Sequence, residues 1–174
     1  ALALSACLLG SMILWLFWPS FTSAVVAPEL GYLTVLNTVL ALCGSTLATY
    51  VFSKLIRGKI EVEDIANAAL AGGVCIGSTC STANPGFAMV IGICAGTLST
   101  LGFAIIAPKV CKLIRGTDTC GVHNLHGMPG LLGGLFGIAI TGNVGVQVGA
   151  VVATVVVGLV LGRVCGAILG LFGT

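Results

Sequence analysis

The chain carries no Asp, Glu, Lys or Arg from Ala1 to Pro28, from Leu30 to Ser53, from Ile65 to Pro108 or from Thr119 to Gly162. These runs constrain the fold more than any other feature, because about 20 apolar residues in a helix cross the ~30 Å hydrocarbon core of a bilayer. Hydrophobic residues make up 57% and charged residues 7% of the 174, more apolar surface than a soluble core of this size can hide. The sequence therefore predicts an all-α polytopic membrane protein, residues 1–174 forming a single transmembrane domain. Six spans are expected, over roughly 1–22, 31–53, 65–83, 86–107, 119–140 and 144–172. Barrel strands would alternate apolar and polar residues, and these runs do not.

Charge placement supports that count. Lys54, Arg57 and Lys59 follow the second span, Lys109, Lys112 and Arg115 follow the fourth, and Arg163 lies late in the sixth. With alternating crossings all seven basic residues fall on one face, which the positive-inside rule makes cytoplasmic, while the other face carries only Glu29. A net charge of +2 is too small to imply nucleic acid as a partner. The eight cysteines show no disulfide spacing, and Cys7, Cys43, Cys75, Cys94 and Cys165 sit within apolar runs as small packing residues. The opening at Ala1 has no charged n-region, unlike a signal peptide, and with Thr174 close behind the last span the chain is expected to be a piece of something longer.

Twenty-six glycines would weaken soluble helices, but in lipid they let helix backbones approach. On an α-helical wheel at about 100° per residue, Gly130, Gly133, Gly137, His123 and His126 fall on one side of the fifth span, with Met128, Leu131 and Leu135 opposite. Both histidines are thus expected to face protein, beside a glycine groove shaped to receive a neighbouring helix rather than lipid tails. His126 lies eight residues past Asp118, ~12 Å along a helix axis, near the bilayer midplane. An ionisable residue at that depth suggests a functional site. Three readings of the pair stand side by side: hydrogen bonds across helices; a metal site using Cys120, His123 and His126, which lacks a fourth ligand and any nearby carboxylate; and a conduction or proton-handling site. Trp15 and Trp18 are accounted for as interfacial anchors. No nucleophile motif, nucleotide loop or metalloprotease pair points to an enzyme.

Four stretches carry a resemblance. "DTCGVHNLHGMPGLLGG" (118–134), "LWLFWPSFTSA" (14–24), "NAALAGGVCIGS" (67–78) and "GTLSTLGF" (96–103) resemble, in order, motifs of the ammonium transporter and Rh glycoprotein superfamily, and their Trp-Pro-Ser-Phe and Asn-Leu-His-Gly forms resemble its Rh branch. The resemblance implies the second of two inverted repeats plus the following helix, a homotrimer when full-length, and a histidine-lined apolar pore for ammonia and ammonium, with CO2 as a further cargo. It implies that His126 is the second histidine of the pore pair, Phe21 an aromatic constriction at the outer mouth, and His123 a structural neighbour. Asp118, and with it Glu61, Glu63 and Asp64, would stand at the inner vestibule, either concentrating a cation there or serving as first-turn acids. Asn67 would be a cap or a vestibule donor. Thr22 departs from the pattern, since many relatives have Asn there. No cofactor and no metal are expected, the surrounding partner is the lipid bilayer, and the plasma membrane is the expected location. The alternative is a non-conducting Rh-like scaffold or subunit.

Overall fold

Six helical rods follow one another with short connections in the computed structural model, which describes residues 2–118 and 120–172. Ala1 and Thr119, the expected first residues of the first and fifth spans, lie outside the described residues. The first rod is α1 (Leu2–Ala24), and the second is α2 (Gly31–Arg57), entered through a 3-10 turn at Pro28–Leu30. The third joins α3 (Val62–Asn67) to α4 (Ala71–Ile76) through a second 3-10 turn. The fourth joins α5 (Pro85–Leu101) to α6 (Ala107–Ile114) through a π turn at Gly102–Ile106. A π turn at His123–Gly127 opens the fifth, which continues as α7 (Met128–Thr141), and the sixth is α8 (Val144–Gly170). No strand occurs among the described residues. The chain is a multi-pass, all-α membrane protein.

Among the described residues four stretches, Leu4–Ala24, Pro28–Arg57, Pro85–Ile114 and Val144–Gly170, are by themselves long and apolar enough to cross a membrane. The third and fifth rods are assembled from shorter pieces, where an unbroken helix is expected from sequence. The break in the third has a visible cause. Ser45 of α2 donates its hydroxyl to the Ala68 carbonyl at 2.7 Å and accepts the Gly72 N–H at 3.0 Å. A neighbouring helix thus supplies the partners that a regular ladder would supply from within. The fourth rod runs to Ile114 rather than 107, so Lys109 and Lys112 ride on a helix instead of in a loop.

The core lies where α2 crosses α5 and α4. Ala41, Leu42, Ile76, Ile91 and Ala95 are fully buried there. Glycines set the spacing: a methyl group at Gly72 or Gly92 would overlap the Ala41 carbonyl, and one at Gly96 the Ser45 backbone. This is close approach by small residues, the means by which helices associate in lipid. Asn84 caps α5, its side-chain oxygen accepting the Phe87 N–H at 2.8 Å with Pro85 at the first helical position. By contrast α8 has no buried residue and packs mainly on α7, with Val151 over Gly134 and Gln147 against Gly137.

Candidate functional site

The π turn at His123–Gly127 decides where the imidazoles go. Its i→i+5 bonding holds one residue more than an α turn, and each residue in a helix is worth about 100° of rotation. The α-helical wheel therefore misplaces residues on one side of the turn relative to those on the other. His123 and His126 open onto different recesses instead of sharing a face. Gly133 is pressed on the Cys75 backbone of α4 and Gly137 on Gln147 of α8, so helices of this chain already fill the expected groove.

His126 and the aromatic side chains of α1 form one unit. Its ring lies 6.4 Å from that of Trp18, centroid to centroid, and nearly parallel at 20°; Trp18 in turn meets Phe21 at 5.1 Å. Trp18 is only 7% exposed, wedged over Gly73, where any Cβ would meet the indole. That overturns the interfacial-anchor reading of Trp18. Trp15 likewise turns inward, and its Nε1–H donates to Thr46 at 3.2 Å. Thr22, the departure from the family pattern, is buried and joins α1 to α2 through Thr38 at 3.0 Å. Phe21 itself is half-exposed at the edge of a recess of about 420 Å³ whose wall also includes Trp18, Val74, Leu125 and His126. A second recess of about 510 Å³ meets the other side of His126, toward Ser78, Gln147 and Thr154. Among the described residues no group hydrogen-bonds to the His126 ring, so within this chain it is not a side chain satisfied across helices.

The other candidates are dispersed. His123 meets Asn124 at 3.3 Å and lies in a recess of about 300 Å³ with Asp118 and the apolar face of α6. Asp118 accepts the Val122 N–H on one oxygen and the His123 N–H on the other, both at 2.9 Å. From the loop ahead of the rod it thus holds two of the free N–H groups at the start of the histidine-bearing helix. Asn67 neither caps a helix start nor meets the histidines; it closes α3, donating back to the Glu63 carbonyl at 3.0 Å. Asp64 is fully buried in an ion pair with Arg57 and accepts the Ser53 hydroxyl, which withdraws it from any vestibule. Glu61 pairs with Lys59 at 2.9 Å. Among the described residues Cys120, His123 and His126 do not gather into a metal-holding group.

Two residues beyond the expected set shape this region. Asn124, 1% exposed, packs its side chain on Gly102 in the facing π turn. Gly121 has φ +64 and bears the edge of Phe103, a place closed to any side chain. Only the spacing Asp118-x-x-Gly121 hints at the turn from sequence.

A family model described as the Ammonium Transporter Family matches residues 3–173. Ammonium transporter Rh type B of Homo sapiens is 45% identical over 139 residues, covering 78% of this chain and 30% of that protein. Ammonium transporter Rh type A of Canis lupus familiaris is 46% identical over 136 residues, covering 75% and 32%. The solved structure of Nitrosomonas europaea Rh50, of the Rhesus protein family of channels, superposes with a TM-score of 0.93 at 50% identity, over 96% of this chain and 45% of that one. The chain therefore spans less than half the length of each of these relatives. A family match over nearly its whole length, joined to the same order of rods as an Rh channel, makes this chain a member of the ammonium transporter family, on its Rh branch.

Proposed function

We propose that this chain forms one wall of a pore conducting ammonia or ammonium through a membrane, with His126 lining the narrow section. The observation that carries the reading is the His126 ring: stacked on Trp18, without a hydrogen-bond partner among the described residues, and open to recesses on two sides. A charge at that depth is expensive, so the imidazole works as a neutral ring, offering one donor and one acceptor to a small polar guest. Phe21 narrows the outer approach, backed by Trp18. His123 stands toward the other mouth with Asp118, whose part is to hold the start of the histidine rod. Asn67 serves α3 rather than the cargo. The second wall comes from the portion of the full-length protein that its relatives have and this chain does not, since transporter sites form between repeats near the midplane. The full-length protein works as a homotrimer in the plasma membrane, with its basic loops cytoplasmic and CO2 a further permeant.

The test is ammonia flux into proteoliposomes by the full-length protein carrying His126→Ala. Flux is expected to change while insertion and yield do not, and His123→Ala is expected to have the smaller effect. Unchanged flux in His126→Ala would favour the packing reading of its ring, absence of flux in the parent protein would favour a non-conducting scaffold, and a larger loss at His123 would exchange the two roles.

A further inference from the structure

The chain has two basic clusters, and they differ in how their charge is met. In the first, Arg57 is engaged by Asp64 at 2.9 Å and Lys59 by Glu61 at 2.9 Å. In the second, Lys109, Lys112 and Arg115 make no ion pair among the described residues. Asp118, the carboxylate nearest in sequence, has both oxygens occupied by the Val122 and His123 N–H groups. Three cations thus follow one another at the end of a single rod with no ion-pair partner among the described residues.

Their position relative to the membrane is set by rod length. The helical stretch Pro85–Ile114 has 30 residues. At 1.5 Å per residue it extends about 45 Å, against ~30 Å of hydrocarbon. With Pro85 at one interface, Lys109 to Arg115 emerge from the far one at the level of lipid headgroups. The helix is two-sided there. Val110 and Cys111 turn inward to the His123 recess, Lys109 and Lys112 are exposed, and Leu113 is 84% exposed beside them. Long cationic side chains next to a bare leucine suit the boundary between headgroups and acyl chains.

Arg115 adds a separate observation. It ends α6 at φ 53, the one non-glycine residue with positive φ among those described, and its N–H bonds back to the Cys111 carbonyl. Glycine fills that position most easily, and Gly116 stands next in the chain. Arg115 thus closes the helix that already carries two lysines. A guanidinium's forked donors match phosphate oxygens two at a time.

We propose that Lys109, Lys112 and Arg115 form a binding site for the phosphate headgroup of an anionic phospholipid in the leaflet they face. The site is independent of the transport reading, because neither His126 nor Phe21 takes part in it. The test is native mass spectrometry of the full-length protein in detergent, with phosphatidylglycerol and phosphatidylcholine of identical acyl chains added in equal amounts. Preferential retention of phosphatidylglycerol is expected, declining as ionic strength rises. Replacing all three cations by Gln should weaken it about a hundred-fold, at about five-fold per cation. A Lys59→Gln control should stay within about two-fold of the parent, since that charge is already paired with Glu61. If the triple variant does not fold, Lys112→Gln alone should weaken retention about five-fold, and the exchange Lys109→Arg, Lys112→Arg, Arg115→Lys should preserve it. Equal uptake of the two lipids by the parent protein, or undiminished phosphatidylglycerol retention in the Gln variants, would overturn the proposal.

Discussion

Removing the Asp64 carboxylate tests whether this acid serves structure or cargo. Asp64 is fully buried and accepts three hydrogen bonds, from Ser53 Oγ at 2.7 Å, Arg57 Nε at 2.9 Å and Arg57 Nη2 at 3.1 Å. Deleting one partner of a buried ion pair costs ~3–5 kcal/mol, because the other is left without compensation. The Arg57 side chain is 31% exposed, however, and turns toward water when released. That recovers part of the penalty and puts Asp64→Ala at about 2–4 kcal/mol. Asp64→Asn keeps the shape and one acceptor, and its loss should be smaller. A double replacement, Arg57→Met with Asp64→Leu, exchanges the pair for apolar groups of similar size and should fall within about 1 kcal/mol of the parent. The assay is unfolding of the full-length protein in mixed micelles, followed by tryptophan fluorescence, with ammonia uptake measured in parallel at a temperature where every variant is folded. The reasoning fails if Asp64→Ala unfolds within about 0.5 kcal/mol of the parent, a typical effect of a surface substitution. It also fails if uptake collapses while stability is unchanged, which would return Asp64 to the vestibule.

Three further outcomes are expected. Reporter tags near Arg57 and Arg115 should both read cytoplasmic and one near Glu29 external, as the placement of basic residues requires; opposite faces for the two basic loops would remove a crossing. Gly92→Val should abolish stable assembly, since its Cβ would overlap the Ala41 backbone, whereas Gly149→Val, with open space around it, should be accepted; equal yields by size-exclusion chromatography would refute the close-packing account. Trp18→Leu should lower ammonia flux while the protein still inserts, because it removes the ring between Phe21 and His126; unchanged flux would make Trp18 packing only.

The rods were legible because charge gaps and the hydrocarbon thickness are both one-dimensional quantities that a sequence displays directly. Motif order singles out His126 and Phe21, whose rings both meet Trp18, and Asp118, which lies apart from them at the start of the fifth rod. What was hidden depends on partners distant in sequence. The break at Ala68–Leu70 is made by Ser45 from another helix, and no local propensity announces it. The π turn at His123–Gly127 is held where Asn124 packs on Gly102, so a wheel drawn from the fifth span alone assigns both imidazoles to one face. By its place along α1 alone, Trp18 fits an interfacial tryptophan. Its burial is settled by Gly73 on α4, which leaves room for an indole.

The two π turns have a consequence for how this gene tolerates length changes. Each holds one residue more than an α turn needs, so a single-residue deletion within it can close into regular α-helix without breaking the chain. At Gly102–Ile106 such a deletion would turn α6, with its two lysines and the Arg115 that follows, by about 100° relative to α5. At His123–Gly127 it would swing Asp118 and His123 around the axis while α7 stayed seated on α4. A one-codon loss in either place should therefore yield protein that is made and inserted yet altered in function, whereas the same loss inside the α2–α5 crossing should yield no folded protein. A deletion scan would read these turns as the positions where length and activity separate.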